Sequence, residues 1–78
     1  MTKTLDKFSI GESGVVVKVE GERKIKRRLY DMGITPDAEI YLRKKAPLGD
    51  PIEVSIRSYE LSLRLNEASL ITLEVKNV

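Results

Sequence analysis

The stretch Ile52-Glu53-Val54-Ser55-Ile56-Arg57 alternates apolar and polar residues without a break. Successive side chains of a β-strand point to opposite faces, so this period of two predicts a strand whose Ile52, Val54 and Ile56 face a core. Just upstream, Ala46-Pro47-Leu48-Gly49-Asp50-Pro51 is a six-residue segment dense in turn formers. Before it, residues 39–45 (EIYLRKK) return to period two, with Ile40 and Leu42 on one side and Glu39, Tyr41 and Arg43 on the other. The two runs read as strands joined by the 46–51 loop.

Working outward, Leu61, Leu63 and Leu65 alternate with Ser62 and Arg64 and predict a further strand, against the helical propensity of leucine. Asn66 is expected to cap a single turn through Glu67, Ala68 and Ser69. Ile71, Leu73 and Val75 then alternate with Thr72 and Glu74 as a last strand. Towards the start, residues 15–19 (VVVKV) are β-branched and follow Gly11 and Gly14, which reads as a buried first strand. The period changes in residues 23–32, where Ile25, Leu29 and Met32 fall at i, i+4 and i+7 on one helical face. Gly33 stands where a left-handed C-cap belongs, and Pro36 bars continuation. The expectation is a mainly β protein, a single domain over residues 1–78. It has about five short strands and one short helix after the first strand, bent into a small barrel whose closure removes exposed edges.

The chain has 78 residues, 41% of them hydrophobic and 33% charged, and contains no cysteine, histidine or tryptophan. That excludes a disulfide framework, a zinc finger, a thiol nucleophile and the usual Ser/His/Asp constellation. No catalytic residue, cofactor or metal is therefore expected; a bound metal would have to rest on carboxylates and carbonyls. Asp31, Asp37, Asp50 and Glu53 lie nearest turns, but show no metal-loop spacing and read as surface charge. The longest apolar run is Val15-Val16-Val17, far short of the roughly 20 residues of a spanning helix, so no membrane insertion is expected. With charges scattered over the first fifteen residues, the expected location is cytoplasmic.

Charge is unevenly placed. Arg23, Lys24, Lys26, Arg27 and Arg28 are five of the fourteen basic residues, which leaves nine against twelve acidic ones elsewhere. Arg23 and Lys24 sit at a helix N-terminus that prefers anions. Arg23–Arg27 and Lys24–Arg28 are like-charge i, i+4 pairs, each unfavourable by about 0.2–0.5 kcal/mol. Asp31 is expected to offset part of this from its place after Arg27 and Arg28. Two readings follow: a docking surface for an acidic protein patch, a phosphate or a nucleic acid, or a solvated face whose long stems cover the barrel. An arginine supplied to a nucleotide hydrolase is a third. In the 46–51 loop, Leu48 is an apolar tip that either meets a partner or folds back to plug one end of the barrel, and the sequence favours the latter slightly. Lys24, Arg27, Arg28, Leu48 and Asp50 are the candidate partner-binding residues. Tyr30, Tyr41 and Tyr59 show no spacing of a base-stacking platform.

RRLYDMGITPDAEI (27–40), APLGDPIEV (46–54) and LSLRLNEASLITLEV (61–75), after the opening LDKFSIGESGVVVKVEG (5–21), resemble the ferrous iron transport protein A (FeoA) family over roughly residues 5–75. Arg28-Leu29, Asp31-Met32-Gly33-Ile34, Pro36, Gly49-Asp50-Pro51, Leu63-Arg64 and Glu67-Ala68 carry the likeness. Two positions depart from it: Asp37 follows the proline where glycine is usual, and Ser58 precedes the penultimate strand where glycine is common. The resemblance implies an SH3-like β-barrel acting without catalysis as a cytoplasmic accessory of the transporter FeoB, which supplies the membrane spans and a GTP-hydrolysing domain. Lys24, Arg27, Arg28, Leu48 and Asp50 would be its contacts. The alternative is a small-barrel nucleic-acid-binding protein of the ribosome- or RNA-associated kind using the basic helix, for which Gly14, Val15, Val17, Val19 and Gly21 are a loose match; an acidic remainder speaks against nucleic acid. A direct iron carrier is a third reading, disfavoured by the missing histidines and cysteines.

Overall fold

In the computed structural model, which describes residues 1–76, six strands form one antiparallel sheet. They are β1 (Thr2–Thr4), β2 (Ser13–Val19), β3 (Glu39–Lys45), β4 (Ile52–Ile56), β5 (Tyr59–Leu63) and β6 (Ile71–Val75), in the spatial order β1-β6-β2-β3-β4-β5. A 3-10 turn, Leu5–Lys7, follows β1; helix α1 (Arg23–Asp31) joins β2 to β3, and α2 (Leu65–Ala68) joins β5 to β6.

The expected closed barrel is not what forms. β1 and β5 are the two edges of the sheet, and no ladder joins them. Instead α2 leaves the end of β5 and packs beside the 3-10 turn that follows β1. Leu5 and Ala68 are fully buried at these two helical turns. The sheet therefore has six strands rather than about five, and α1 follows its second strand rather than its first. The missed strand, Thr-Lys-Thr, carries no apolar alternation to betray it. The third leucine of the 61–65 run is also reassigned: β5 stops at Leu63, and Leu65 opens α2. Arg64, not Asn66, occupies the N-cap position.

One face of the sheet holds the core. Ile40 and Leu42 of β3, Ile52, Val54 and Ile56 of β4, Leu63 of β5, and Ile71 and Leu73 of β6 are buried, as their alternation requires. The valine run of β2 behaves differently, because a bulge shifts its register against β6 between Val16 and Lys18. Val16 and Val19 are buried while Val17 is 50% exposed. A second register shift lies in β3 between Leu42 and Lys44. Both increase local twist and bend the strands around the core.

Helix α1 is tied down at its C-terminus. Gly33 takes φ +94°, its N–H bonds to the Tyr30 carbonyl at 2.9 Å, and the Ile34 N–H bonds to the Leu29 carbonyl at 3.0 Å. This is a Schellman ending, with Leu29 and Ile34 both buried in the same core cluster. In the turn Thr35-Pro36-Asp37-Ala38, Asp37 adopts φ +76°, a left-handed position that aspartate tolerates.

At the sheet's other end, the Glu12 carboxylate accepts from the Ser9 N–H at 2.6 Å and from Lys3 Nζ at 2.9 Å. The Ser9 amide above all, then Lys3, holds the Glu12 carboxyl below its ordinary value of 4.5. A carboxylate lowered on folding contributes stability above its unfolded value and loses it as pH falls through the folded one. Glu12→Gln is therefore expected to lower the melting temperature at neutral pH, with the two proteins converging as the pH drops below 4.5. Melting curves across that range check it.

Candidate functional site

The apolar positions of α1 fix which way its charges point. Leu29 is buried, Ile25 and Met32 are half-buried, and Arg23, Lys24, Lys26, Arg27 and Tyr30 are exposed on the opposite side. Arg23, Lys26, Arg27 and Tyr30 with Asp31 line a shallow depression of about 340 Å³ on the outer face. Among the described residues, six of the nine cations outside α1 are ion-paired: Lys3, Lys7, Lys18, Arg43, Lys44 and Lys76. On α1 only Arg28 is. Asp31 lines the same depression but forms no ion pair with Arg27 or Arg28, so any offset acts through space rather than by contact. Four free cations thus share one exposed helix face, and the potential they create extends over roughly a Debye length, about 8 Å at physiological salt.

Arg28 is spent on the fold. Its guanidinium pairs with the carboxylate of Glu67, which is only 8% exposed and is the single buried charged residue among those described. The same carboxylate accepts from the Arg64 N–H at 3.0 Å, satisfying the N-cap amide of α2. The next amide, Leu65 N–H, donates to Asp50 Oδ1 at 3.1 Å. Asp50 thereby ties the 46–51 loop to α2, and Glu67 ties α2 to α1. Two segments distant in sequence are joined by one short polar chain. Between the helices lies a cleft of about 210 Å³ lined by Ile25, Arg28, Arg64, Asn66, Glu67 and Leu70. Glu67→Gln keeps an acceptor for Arg64 but removes the charge facing Arg28. It is expected to cost about 1 kcal/mol, less than the roughly 1.5–3 kcal/mol of a hydrogen bond to a charged group because the Arg28 side chain is largely exposed and screened, read by urea unfolding.

Leu48 does not fold back. It is 96% exposed, and the reason is local. Gly49 N–H closes a turn on the Ala46 carbonyl at 2.7 Å, Gly49 takes φ +89°, and the Ala46 N–H bonds to the Pro51 carbonyl at 2.9 Å. Pro47 and Leu48 are the central residues of that turn, so the leucine side chain is carried outward. The preferred plug reading is overturned.

No group of histidine, cysteine, aspartate or glutamate side chains among the described residues is arranged to hold a metal ion. No helix among them is long and apolar enough to cross a membrane. The surface presents free cations on α1 and an exposed apolar residue at Leu48, with the bonds of Arg28, Glu67 and Asp50 joining α1, α2 and the 46–51 loop.

A family profile described as the FeoA domain matches residues 3–75. The chain belongs to the FeoA family. A Porphyromonas gingivalis (strain ATCC BAA-308 / W83) protein named as an Fe(2+) transport protein A/Fe(2+) transporter FeoB fusion protein is 34% identical over 71 residues. That match takes in 91% of this chain but only 8% of the relative, so the chain spans a small fraction of that protein's length. Among solved structures, the FeoA-like protein from Clostridium acetobutylicum superposes with a TM-score of 0.88 at 42% identity, covering 95% of this chain and 86% of the other. The FeoA protein from Chlorobium tepidum gives 0.81 at 38% identity, covering 92% and 67%.

Within this FeoA domain, Arg28 and Asp50, two of the candidate contact residues, are both exposed and each also makes a bond to α2 that holds the frame. Sequence reasoning passed over Glu67. The available signal was a glutamate at the third helical position after a strand end, where it reaches back to the N-cap amide.

Proposed function

We propose that this FeoA domain is a non-enzymatic accessory of ferrous iron transport that docks on the cytoplasmic part of a FeoB-type transporter and supports or regulates iron(II) uptake. The observation that carries the reading is the fused relative, in which a segment similar to this chain shares a polypeptide with an Fe(2+) transporter. Fusion fixes two partners at high effective concentration, which is useful where the separate parts otherwise meet. The surface suits that role. Lys24 and Arg27 are free to steer an acidic partner, and Leu48 is an apolar anchor held by its turn. Arg28 and Asp50, also exposed, act beside them by keeping α1, α2 and the loop in one arrangement.

The test is direct binding of the purified domain to the soluble GTP-hydrolysing part of FeoB from the same cell, without lipid. Capture above an unrelated small β-protein is expected. Leu48→Ser should weaken it several-fold with no change in melting temperature, because the side chain touches nothing in the fold. Absence of capture, with retention of ribosomal RNA fragments instead, would replace this reading with the nucleic-acid one.

A further inference from the structure

Because the sheet is open, its edges have to be accounted for, and the two edges differ. We infer that the β5 edge is a self-pairing surface, through which two copies of this chain form an antiparallel β5–β5 ladder centred on Leu61.

The backbone argument comes from the β4–β5 hairpin. Ile56 pairs with Tyr59 across the two-residue turn Arg57-Ser58, with Arg57 at φ +57°. Such a hairpin closes on a hydrogen-bonded pair, and hydrogen-bonded pairs then alternate along the strand. Tyr59, Leu61 and Leu63 therefore direct their amides and carbonyls at β4, while Glu60 and Ser62 direct theirs away from the sheet. No backbone hydrogen bond outside the strand ladders involves residues 59–63 among those described. Glu60 and Ser62 are also exposed.

The side chains set the register. A two-fold axis through Leu61 places Glu60 opposite Ser62 of the second copy, Ser62 opposite Glu60, and the two Leu61 residues face to face. All four outward groups on each strand then find partners, and no like charges meet. An axis through Glu60 would oppose two glutamates directly, and an axis through Ser62 would run Glu60 past the end of the strand. Charge on an edge strand ordinarily guards it, but Glu60 is already paired with Arg43. The other edge is unsuited: β1 has three residues, and an axis through its centre brings two Lys3 side chains together.

A five-residue ladder buries less than the roughly 800 Å² per partner of a stable complex, so self-association is weak and depends on concentration. Two measurements read it. Leu61→Cys should give a disulfide-linked dimer under mild oxidation, since a non-hydrogen-bonded antiparallel pair brings Cα atoms to about 4.5 Å, within disulfide reach. The chain has no other cysteine to confuse the result. Ser62→Cys faces Glu60 and should cross-link more slowly. Independently, sedimentation velocity on concentrated protein should show Ser62→Lys dimerising about three- to tenfold more tightly than Ser62→Glu, because each dimer contains the 60–62 pair twice. If Leu61→Cys stays monomeric, or cross-links no faster than Ser62→Cys, the ladder is wrong. Equal association of the Ser62 variants would also overturn it, and that comparison stands even if the Leu61 variant fails to fold.

Discussion

Replacing Gly14 with alanine is expected to cost the fold about 2–3 kcal/mol, a large share of what a domain this small can hold. The position does not need an unusual backbone angle; it needs the absence of a side chain. Gly14 sits in β2 opposite Ile40 on one side and Val75 on the other. A Cβ there would lie 2.7 Å from the Glu74 carbonyl oxygen, 3.1 Å from Phe8 Cζ and 3.2 Å from Leu73 Cβ. The closest of these is backbone in the neighbouring strand, which moves only if the β2–β6 ladder moves. Urea unfolding reads the loss, and Phe8→Leu in the same background is not expected to restore it, since the carbonyl clash remains. A loss below about 0.5 kcal/mol would mean that β6 shifts freely and that the close approach is unimportant. Gly11 offers a contrast: a Cβ there meets nothing within 4 Å, so its substitution strains only the φ of +95°.

What could be read in the sequence follows from how local each cause is. β4 was legible because Ile52, Val54 and Ile56 lie against one core and their alternation is undisturbed. The end of α1 was legible because a Schellman turn demands glycine at one position and leaves a helix nowhere to go before Pro36. Leu65 misled because period two in three leucines is compatible with the last residues of a strand and the first of a helix. The decision falls to Asp50, fifteen residues away, whose carboxylate accepts the Leu65 amide. Closure of the sheet was equally nonlocal. It depends on whether β5 reaches β1, and the place is taken by α2 packed on the 3-10 turn, which no periodicity in either strand announces.

The candidate site divides the same way. The excess of cations on α1 is a property of six consecutive residues and needed no structure to find. Which of them is free did need one, because Arg28 is claimed by Glu67 thirty-nine residues later. Leu48 was misread for a related reason. An apolar residue between Pro47 and Gly49 suggests burial by composition, whereas the turn that those two residues make carries it into solvent.

That division decides which substitutions test the proposed docking surface. Lys24→Glu with Arg27→Glu reverses two free cations and leaves the Arg28–Glu67 pair intact. Circular dichroism and melting temperature are expected to stay near those of the parent, since neither side chain holds the fold. The association rate with the GTP-hydrolysing part of FeoB should fall by roughly tenfold or more at low ionic strength, because exposed charges act mainly through electrostatic steering. The dissociation rate should change much less. Raising the salt should bring parent and variant together as the Debye length shrinks towards about 3 Å at 1 M. Including Arg28→Glu would confuse the outcome, because it sets a glutamate against the buried Glu67 and loosens α1 from α2 as well as altering the surface. Stopped-flow association at two salt concentrations separates the cases. An unchanged rate at low salt would remove α1 from the interface and leave Leu48 as the contact. A loss confined to dissociation would mean that Lys24 and Arg27 make directed bonds rather than a diffuse field.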